Sequence, residues 1–263
     1  MSKNAPLIAT AVTAASAAAG FFLLQKRAKN LKGNSSKKGE QAPIKLYYYK
    51  ATGKAHQIRL ALAAANLDFT EVPAASFPPT PEEKALWRKL GGNNTTNVPM
   101  LQVGDKFYCQ SAAILRTVAR MGGLMPANEN DIDAMYFTDK LLDDAEDFRS
   151  EAYKSFVSWG ATKEAAENFE KVVVPLHFTN MERQLKEAGS DFFLGDTLTV
   201  ADIAIYDAVA NFATSRIPGD ALSEYGALKA FVKRVEANPG IAKYLKSDGY
   251  AGIMKFDLAS LGH

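Results

Sequence analysis

Cysteine and histidine are both scarce in this sequence. One cysteine, Cys109, and three widely spaced histidines (His56, His177 and His263) occur in 263 residues. A single cysteine excludes an internal disulfide and an all-cysteine metal site, and no two histidines have the spacing of a zinc site. We therefore expect no metal cofactor and a reducing compartment. Strand alternation is expected to turn Cys109 toward the core, where it is inert.

Acidic residues are absent from the first 39 positions. That stretch contains seven of the 31 Lys and Arg and none of the 29 Asp and Glu, so the remainder carries a net charge of −5. Nucleic-acid-binding domains need a basic face, and this slightly acidic body lacks one by composition. We therefore expect no nucleic-acid partner.

Charge of either sign is missing from Ala5 to Leu24, within a leader formed by residues 1–29. Twenty helical residues span roughly 30 Å, enough to cross the hydrocarbon of a bilayer. Basic residues follow the run, so the positive-inside rule places the body of the protein in the cytosol. We expect a membrane tether through residues 5–24, in the mitochondrial outer membrane or the endoplasmic reticulum. A cleaved organelle-targeting leader and a peripheral tail on a cytosolic protein are the alternatives, and residues 30–43 form a flexible linker by composition.

Residues 44–123 have the pattern of a small α/β domain. Short apolar and aromatic runs predict strands, and Gly104-Asp105 between two such runs predicts a hairpin. The order is βαβαββα, in which the first two strands are parallel and the hairpin adds antiparallel strands. This is a thioredoxin-like arrangement. The predicted strands are Ile44–Tyr49, Phe69–Val72, Pro99–Val103 and Lys106–Cys109, and the predicted helices are Ala55–Leu67, Glu82–Leu90 and Ser111–Arg120.

Residues 131–250 are predicted to form an all-helical C-terminal domain. A long helix that contains Pro175 is expected to kink there, because proline removes a backbone donor. Thr199, followed three positions later by Asp202, predicts a capping box at the start of a core helix that ends at Ser215.

Three stretches of the sequence together carry a family resemblance. They are Lys45-Leu46-Tyr47-Tyr48-Tyr49 with Gly53-Lys54-Ala55-His56-Gln57-Ile58-Arg59, then Asn97-Val98-Pro99-Met100-Leu101 with Gln110-Ser111, and finally Gly195-Asp196-Thr197-Leu198-Thr199-Val200-Ala201-Asp202. In this order they resemble the glutathione transferase family of the Tyr type, closest to its sigma class. The resemblance covers about residues 44–250 and leaves the leader outside. It implies a glutathione-binding thioredoxin-like domain, an all-α second domain and a homodimer.

Tyr48 is the residue that the resemblance assigns to catalysis. In the family this tyrosine donates its O–H to the glutathione sulfur, and a hydrogen bond to the thiolate favours the charged form. Lowering a thiol pKa from about 8.5 by about two units corresponds to about 2.7 kcal/mol, and the thiolate is the nucleophile. Strand alternation places Tyr48 on the face of Ile44 and Leu46, opposite Tyr47 and Tyr49.

Two short motifs are implied to hold glutathione. Asn97, Val98 and Pro99 resemble the cis-proline turn of thioredoxin-like folds, which would direct the Val98 backbone at the cysteinyl backbone of the ligand. Gln110 and Ser111 come directly before a helix that Ser111 can cap. The N-terminus of a helix favours a carboxylate, and the resemblance assigns this end to the γ-glutamyl group.

Four further residues are implied to contact glutathione. Trp87 and a cation beside it, Lys89 with Arg88 as the alternative, are implied to meet the glycyl carboxylate. Lys54 replaces the arginine of the sigma class near the thiol and keeps its charge without the planar guanidinium. Asp144 is implied to reach the glutathione amine of the neighbouring subunit, whereas a solvated acidic face is the alternative for its helix.

The motifs predict an enzyme that uses glutathione as co-substrate and conjugates its thiolate to electrophiles. A glutathione-dependent isomerase, for instance of prostaglandin endoperoxides, or a peroxidase would use the same thiolate. A non-catalytic relative with a binding or structural role is a further alternative. A disulfide reductase is disfavoured because Tyr48 to Lys54 contains no cysteine. The expected partners are glutathione, a hydrophobic electrophile and a second copy of the chain.

Overall fold

The computed structural model describes residues 42–156, 162–215, 217 and 219–254. The leader and the linker up to residue 41 lie outside these ranges, and so does the expected membrane tether. Within the described ranges, no helix is both long and apolar enough to cross a membrane.

The N-terminal domain contains four strands and three helices. They are β1 (Ile44–Tyr48), α1 (His56–Ala64), β2 (Thr70–Pro73), α2 (Pro81–Gly91), β3 (Met100–Val103), β4 (Lys106–Cys109) and α3 (Ser111–Gly122). The strands lie in the order β2-β1-β3-β4, with β1 and β2 parallel and the other neighbours antiparallel. The predicted thioredoxin-like order, βαβαββα, is therefore confirmed.

β1 alternates between buried and accessible side chains, as its sequence pattern predicts. Ile44, Leu46 and Tyr48 are buried, whereas Lys45 is exposed and Tyr47 is half-buried. The strand thus ends on a core-facing tyrosine, at the carboxyl edge of a parallel pair. In α/β domains, ligands bind outside this edge.

The C-terminal domain is all-helical, as predicted. Its helices are α4 (Ile132–Phe156), α5 (Lys163–Asn168), α6 (Val174–Ala188), α7 (Val200–Val209), α8 (Gly226–Glu236), α9 (Pro239–Leu245) and α10 (Asp248–Ala251). Two predicted helices differ in detail. A π-helical turn, Phe169–Val173, lies directly before Pro175, and a second, Ala210–Thr214, ends the helix that the sequence pattern extends to Ser215. Pro175 has no N–H and cannot donate a hydrogen bond to the preceding turn of the helix. The wider π-helical turn lies at the position where this bond is missing.

The predicted capping box forms at the start of α7. The Asp202 carboxylate accepts the Thr199 N–H at 2.8 Å and the Thr199 hydroxyl at 2.6 Å. It also accepts the N–H of Phe193 at 3.0 Å, which ties the preceding loop to the helix. A cap of this kind is worth about 1 kcal/mol, and here it begins the most buried helix of the domain.

Candidate active site

Tyr48 ends β1 with its side chain only 8% exposed. Its hydroxyl oxygen accepts the backbone N–H of Lys54 at 3.0 Å. The chain must pass close to the hydroxyl to make this bond, and Gly53 permits it. A Cβ at Gly53, whose φ is +41°, would lie 2.4 Å from the Tyr48 hydroxyl oxygen. The Tyr48 oxygen is thus held by the turn that follows it in sequence.

Arg59 on α1 holds this turn in place, a role that was not predicted from the sequence. Its guanidinium is buried and donates to the carbonyl oxygens of Ala51 at 2.8 Å and Tyr49 at 3.2 Å. It also pairs with Glu71 at 2.6 Å and lies 5.7 Å from the centre of the Tyr48 ring. The sequence feature that could have revealed this role is an arginine among the apolar residues Ile58, Leu60 and Leu62.

The Tyr48 hydroxyl keeps its proton at neutral pH. Burial raises the pKa of Tyr48 above its ordinary value, while the Lys54 N–H, the Arg59 charge and a hydrogen bond from Tyr153 oppose the rise without cancelling it. A neutral tyrosine is a hydrogen-bond donor. Tyr48 is therefore suited to donate to an anion rather than to act as a base.

A polar cavity of about 340 Å³ lies beside the turn. It brings together six of the ten residues that the resemblance implies for glutathione, from three separate segments of the chain. Its lining is Lys54, Thr95, Asn97, Val98, Pro99, Cys109, Gln110 and Ser111. Cys109 therefore does not face the core as expected. It is half-buried at the wall of this cavity, because it is the last residue of β4, where the strand turns toward α3.

The Val98–Pro99 peptide bond is cis, as the resemblance predicts. The backbone N–H of Val98, however, donates to the side-chain oxygen of Asn97 at 2.9 Å. The expected pairing of this N–H with a bound peptide therefore requires the Asn97 side chain to move aside. Sequence adjacency allows this local bond, and the resemblance did not indicate it.

The N-terminus of α3 opens on the same cavity. Gln110, not Ser111, is the N-cap residue, and it makes no side-chain capping bond. Its φ of 72° and ψ of 111° are rare for a residue with a Cβ. The first backbone N–H of α3 bonded within the helix is that of Ile114, so the preceding N–H groups and the positive end of the helix dipole favour an anion here.

Lys54 adds a positive charge to the cavity. Its side chain is 45% exposed, and its Nζ lies 3.4 Å from a carboxylate oxygen of Glu146 on α4. A pair this exposed contributes little to stability. The ammonium group is therefore available to a second anion.

Besides Tyr48, three predicted contact residues lie outside this cavity. Trp87 is buried in α2 with its ring 6.4 Å from Tyr49, and Lys89 lines a separate surface depression with Arg88. Asp144 on α4 pairs with Lys140 at 2.6 Å. A single copy of the chain therefore does not bring these three residues to the cavity.

A second, apolar cavity of about 530 Å³ is lined by Tyr48 itself. Its lining consists of Tyr48–Ala51, Pro73–Phe77, Tyr153 and Met254. The Phe77 side chain is 81% exposed at the rim, and its ring meets that of Tyr49 at 5.2 Å. Tyr48 thus lines an apolar cavity with aromatic walls, and its hydroxyl is bonded to Lys54, which lines a polar cavity with anion-binding groups. This pairing suits a polar thiol ligand next to an apolar reactant.

A buried polar cluster joins the two domains next to this site. Asp207 on α7 accepts from Arg149 on α4 at 3.0 Å and lies 2.8 Å from Nδ1 of His56 on α1. Burial tends to raise the pKa of Asp207, but the His56 hydrogen bond and the Arg149 charge outweigh it and lower that pKa. The sequence did not predict this cluster; the feature that could have revealed it is Asp207 among the apolar residues of the predicted core helix.

Comparison with known proteins identifies the family. A family model for the glutathione S-transferase N-terminal domain matches residues 44–120, and one for the C-terminal domain matches residues 146–248. Glutathione S-transferase 3 of Gallus gallus is 30% identical over 202 residues, 76% of this chain and 84% of its own. Glutathione S-transferase P 2 of Bufo bufo is 31% identical over 209 residues, 78% of this chain and 92% of its own. The pi-class glutathione S-transferase structure from Onchocerca volvulus has the same fold, with a TM-score of 0.66 at 22% identity, over 80% of this chain and 95% of that one. The chain therefore belongs to the glutathione S-transferase family of enzymes.

Proposed function

We propose that this enzyme binds glutathione in the polar cavity and conjugates its thiolate to electrophiles held in the apolar cavity. The observation that carries the proposal is the position of the Tyr48 hydroxyl, which is neutral, belongs to a residue that lines the apolar cavity, and accepts at 3.0 Å the N–H of Lys54, a residue that lines the polar cavity. Cofactor chemistry is not required, since glutathione itself supplies the reacting sulfur.

Glutathione is a tripeptide with two carboxylates, and the polar cavity offers groups that suit them. The N-terminus of α3 and the side chains of Gln110 and Ser111 suit the γ-glutamyl carboxylate. The ammonium of Lys54 suits a second negative charge, either the glycyl carboxylate or the thiolate. The backbone of Val98 suits the cysteinyl backbone once the Asn97 side chain turns away.

Tyr48 would then stabilise the thiolate. The thiol proton leaves to solvent, the Tyr48 O–H donates to the sulfur, and the sulfur forms a bond to carbon as the leaving group departs or a π bond opens. A shift of about two pKa units in the thiol corresponds to about 2.7 kcal/mol, or about a hundredfold in the thiolate fraction at neutral pH.

The test is Tyr48→Phe, which removes the hydroxyl and keeps the ring. We expect turnover with a generic aromatic electrophile to fall at least tenfold at neutral pH, while glutathione affinity changes little, because the lost bond acts on the thiolate. The matched control is Tyr47→Phe, which removes a hydroxyl bonded to Gln102 on the opposite face of β1. Equal turnover in Tyr48→Phe and the parent would refute the assignment. A panel of halogenated aromatics, hydroperoxides and endoperoxides then separates transferase from peroxidase and isomerase activity.

We further propose that two copies of the chain form a homodimer. The first turns of α4 leave Ile132, Tyr136 and Phe137 largely exposed, and an apolar patch of this kind is typical of a protein interface. In such a dimer Asp144 would reach the glutathione amine of the neighbouring copy. Sedimentation measurements test the dimer, and a monomer at micromolar concentration would contradict it. Similarity to the sigma class remains a prediction, since the named relatives include P- and pi-class proteins.

The leader is proposed to anchor the enzyme in a membrane with its body in the cytosol. The proposal rests on the uncharged run from Ala5 to Leu24 and the basic residues that follow it. Extraction of membranes with alkaline carbonate tests it. An integral anchor stays in the pellet, whereas release of the full-length chain into the supernatant excludes one.

A further inference from the structure

A backbone bridge joins the segment after α10 to the turn that follows β1. The N–H of Met254 donates to the carbonyl oxygen of Lys50 at 2.9 Å, and the N–H of Thr52 donates to the carbonyl oxygen of Met254 at 3.0 Å. The two segments run parallel here, with Ala51 opposite Met254. The bridge therefore forms only when the end of the helical domain reaches back to the first strand of the N-terminal domain.

The bridged turn is buried and is held from two sides. Ala51 and Thr52 are both buried, and buried backbone groups need hydrogen-bond partners. On one side Arg59 donates to the carbonyl oxygens of Tyr49 and Ala51. A guanidinium has donors and no acceptor, so Arg59 cannot accept the Thr52 N–H. Met254 supplies that acceptor from the other side, together with a donor for the carbonyl oxygen between the two that Arg59 binds.

The same turn leads directly to the group that holds the Tyr48 hydroxyl. Two residues after Thr52, the N–H of Lys54 donates to the Tyr48 hydroxyl oxygen at 3.0 Å. Only Gly53 separates Thr52 from Lys54, and glycine is the residue with the greatest backbone freedom. The direction of the Lys54 N–H therefore depends on what fixes the Thr52 backbone, and the bond to Met254 fixes it.

We propose that Met254 is a positioning residue, whose backbone bridge to Lys50 and Thr52 holds the turn after β1 in its catalytic shape. In that shape the Lys54 N–H occupies an acceptor position of the Tyr48 oxygen, and the Tyr48 proton is left for the thiolate of glutathione. The inference rests on the proposed function, because it needs Tyr48 to act on the thiolate. Backbone atoms carry the effect, so the Met254 side chain does not need to touch glutathione.

The test is Thr52→Pro, which removes the N–H that donates to Met254. The φ of Thr52 is −60°, a value that proline adopts without strain, so the turn can keep its backbone shape while it loses one bond of the bridge. The thiol pKa of bound glutathione is measured by titrating the ultraviolet absorbance of the thiolate, together with a pH profile of kcat/KM. We expect the thiol pKa to rise by about half a unit, so that kcat/KM falls about threefold below that pKa and converges with the parent above it.

Thr52→Val is the matched control. It keeps the N–H and the shape of the side chain, and it removes a buried hydroxyl that has no hydrogen-bond partner among the described residues. We expect it to leave the thiol pKa unchanged. The other side of the bridge is tested by comparing Met254→Pro with Met254→Ala. Both remove a side chain that lines the apolar cavity, but only proline removes the N–H donor to Lys50, so the thiol pKa should be higher in Met254→Pro.

The outcomes separate the bridge from the proposed function. If either folded proline variant has the thiol pKa of its control while Tyr48→Phe raises that pKa, the inference is overturned and the proposed function stands. If the proline variants lower activity equally at every pH, the bridge is only structural and the inference is again overturned. Should Thr52→Pro not fold, the Met254 pair decides alone. If Tyr48→Phe itself leaves the thiol pKa unchanged, the proposed function fails, and the inference fails with it.

Discussion

The molecule has two neighbouring polar clusters, one around Tyr48 and one formed by His56, Arg149 and Asp207. Tyr48 and His56 are eight positions apart in the chain, but the two clusters differ in how their charged and hydrogen-bonding groups are paired. The buried cluster of His56, Arg149 and Asp207 pairs its charges internally, with Asp207 bonded at 2.8 Å and 3.0 Å. Tyr48 lines the apolar cavity and its hydroxyl is bonded to Lys54 at the polar cavity, where the α3 N-terminus makes no side-chain capping bond. The bonds of Asp207 to His56 and Arg149 hold the domains together, although Nε of Arg149 and Nε2 of His56 have no hydrogen-bond partner among the described residues. The N-terminus of α3, by contrast, has backbone donors that are available to a ligand.

The physical reason is the cost of burial. A charge removed from water must be paired and hydrogen-bonded, or its pKa shifts until it is neutral. Asp207 meets this demand, since its pKa is lowered despite complete burial. Tyr48 avoids the demand by remaining neutral, since burial raises its pKa. The Arg149–Asp207 pair is thus charged whether or not a ligand is bound, whereas Tyr48 is neutral and pairs with a charge only when a ligand supplies one.

The largest expected effect is on the buried cluster. In Asp207→Asn the Arg149 guanidinium loses its buried counter-charge, and we expect the free energy of unfolding to fall by about 3 kcal/mol. Urea unfolding measures it. The control is Glu187→Gln, which breaks an exposed pair with Arg183 and should cost less than about 1 kcal/mol. Equal losses of stability in the two variants would show that the buried cluster contributes no more than an exposed ion pair.

The same pair predicts a pH dependence with a definite sign. Because the folded-state pKa of Asp207 is lowered, its contribution is complete above the unfolded pKa of about 3.9 and is lost as pH falls through the folded pKa. Between about pH 5 and pH 3, the parent should therefore lose more stability than Asp207→Asn, which has no carboxylate to protonate at this position. Parallel losses would show that Asp207 is not the group that titrates.

A smaller effect is expected at the rim of the apolar cavity. Phe77→Ala removes an aromatic wall that is 81% exposed, so stability should change by less than about 0.5 kcal/mol. The KM for a bulky aromatic electrophile should rise about three- to tenfold, from the lost apolar contact, with the KM for glutathione unchanged. Leu86→Ala, an exposed residue of α2 that does not line the cavity, is the control. An unchanged KM in Phe77→Ala would remove this cavity as the electrophile site.

The smallest effect concerns backbone strain at the polar cavity. Gln110→Gly and Gln110→Ala both remove the side-chain amide, but only glycine relieves the φ of 72°. We expect the glycine variant to be more stable than the alanine variant by about 1 kcal/mol, at the low end of the cost of such strain. Thermal or urea unfolding measures the difference. Both variants should raise the KM for glutathione by the same factor, because both lack the side-chain amide. A difference in KM between them would show that the backbone conformation at this position also affects glutathione binding.

Much of the fold could be predicted from the sequence, because short-range patterns carry it. Alternation in β1 placed Tyr48 on the buried face, and the spacing of Thr199 and Asp202 predicted the cap of α7. The two π-helical turns were not predicted. Pro175 indicated a kink but not the wider turn before it, and no local pattern indicated the second turn, whose Phe212 packs against Tyr153 on α4. Cys109 was assigned to the core by strand alternation, but it is the last residue of β4, where the chain turns toward α3 and the alternation no longer decides which way the side chain faces.

By itself the sequence determined the order of elements, the face of β1 and the family, since each depends on residues within a few positions of one another. Only the tertiary structure decided which side chains lie around Tyr48 and the apolar cavity that it lines. Arg59 comes from the next helix, Tyr153 from the other domain, and Phe77 from the loop after β2. Asn97 was known as a neighbour of Val98, but its bond to the Val98 N–H was not. Contacts between distant segments depend on how the helices and the sheet pack in three dimensions, and no local pattern in the chain encodes which distant residues meet.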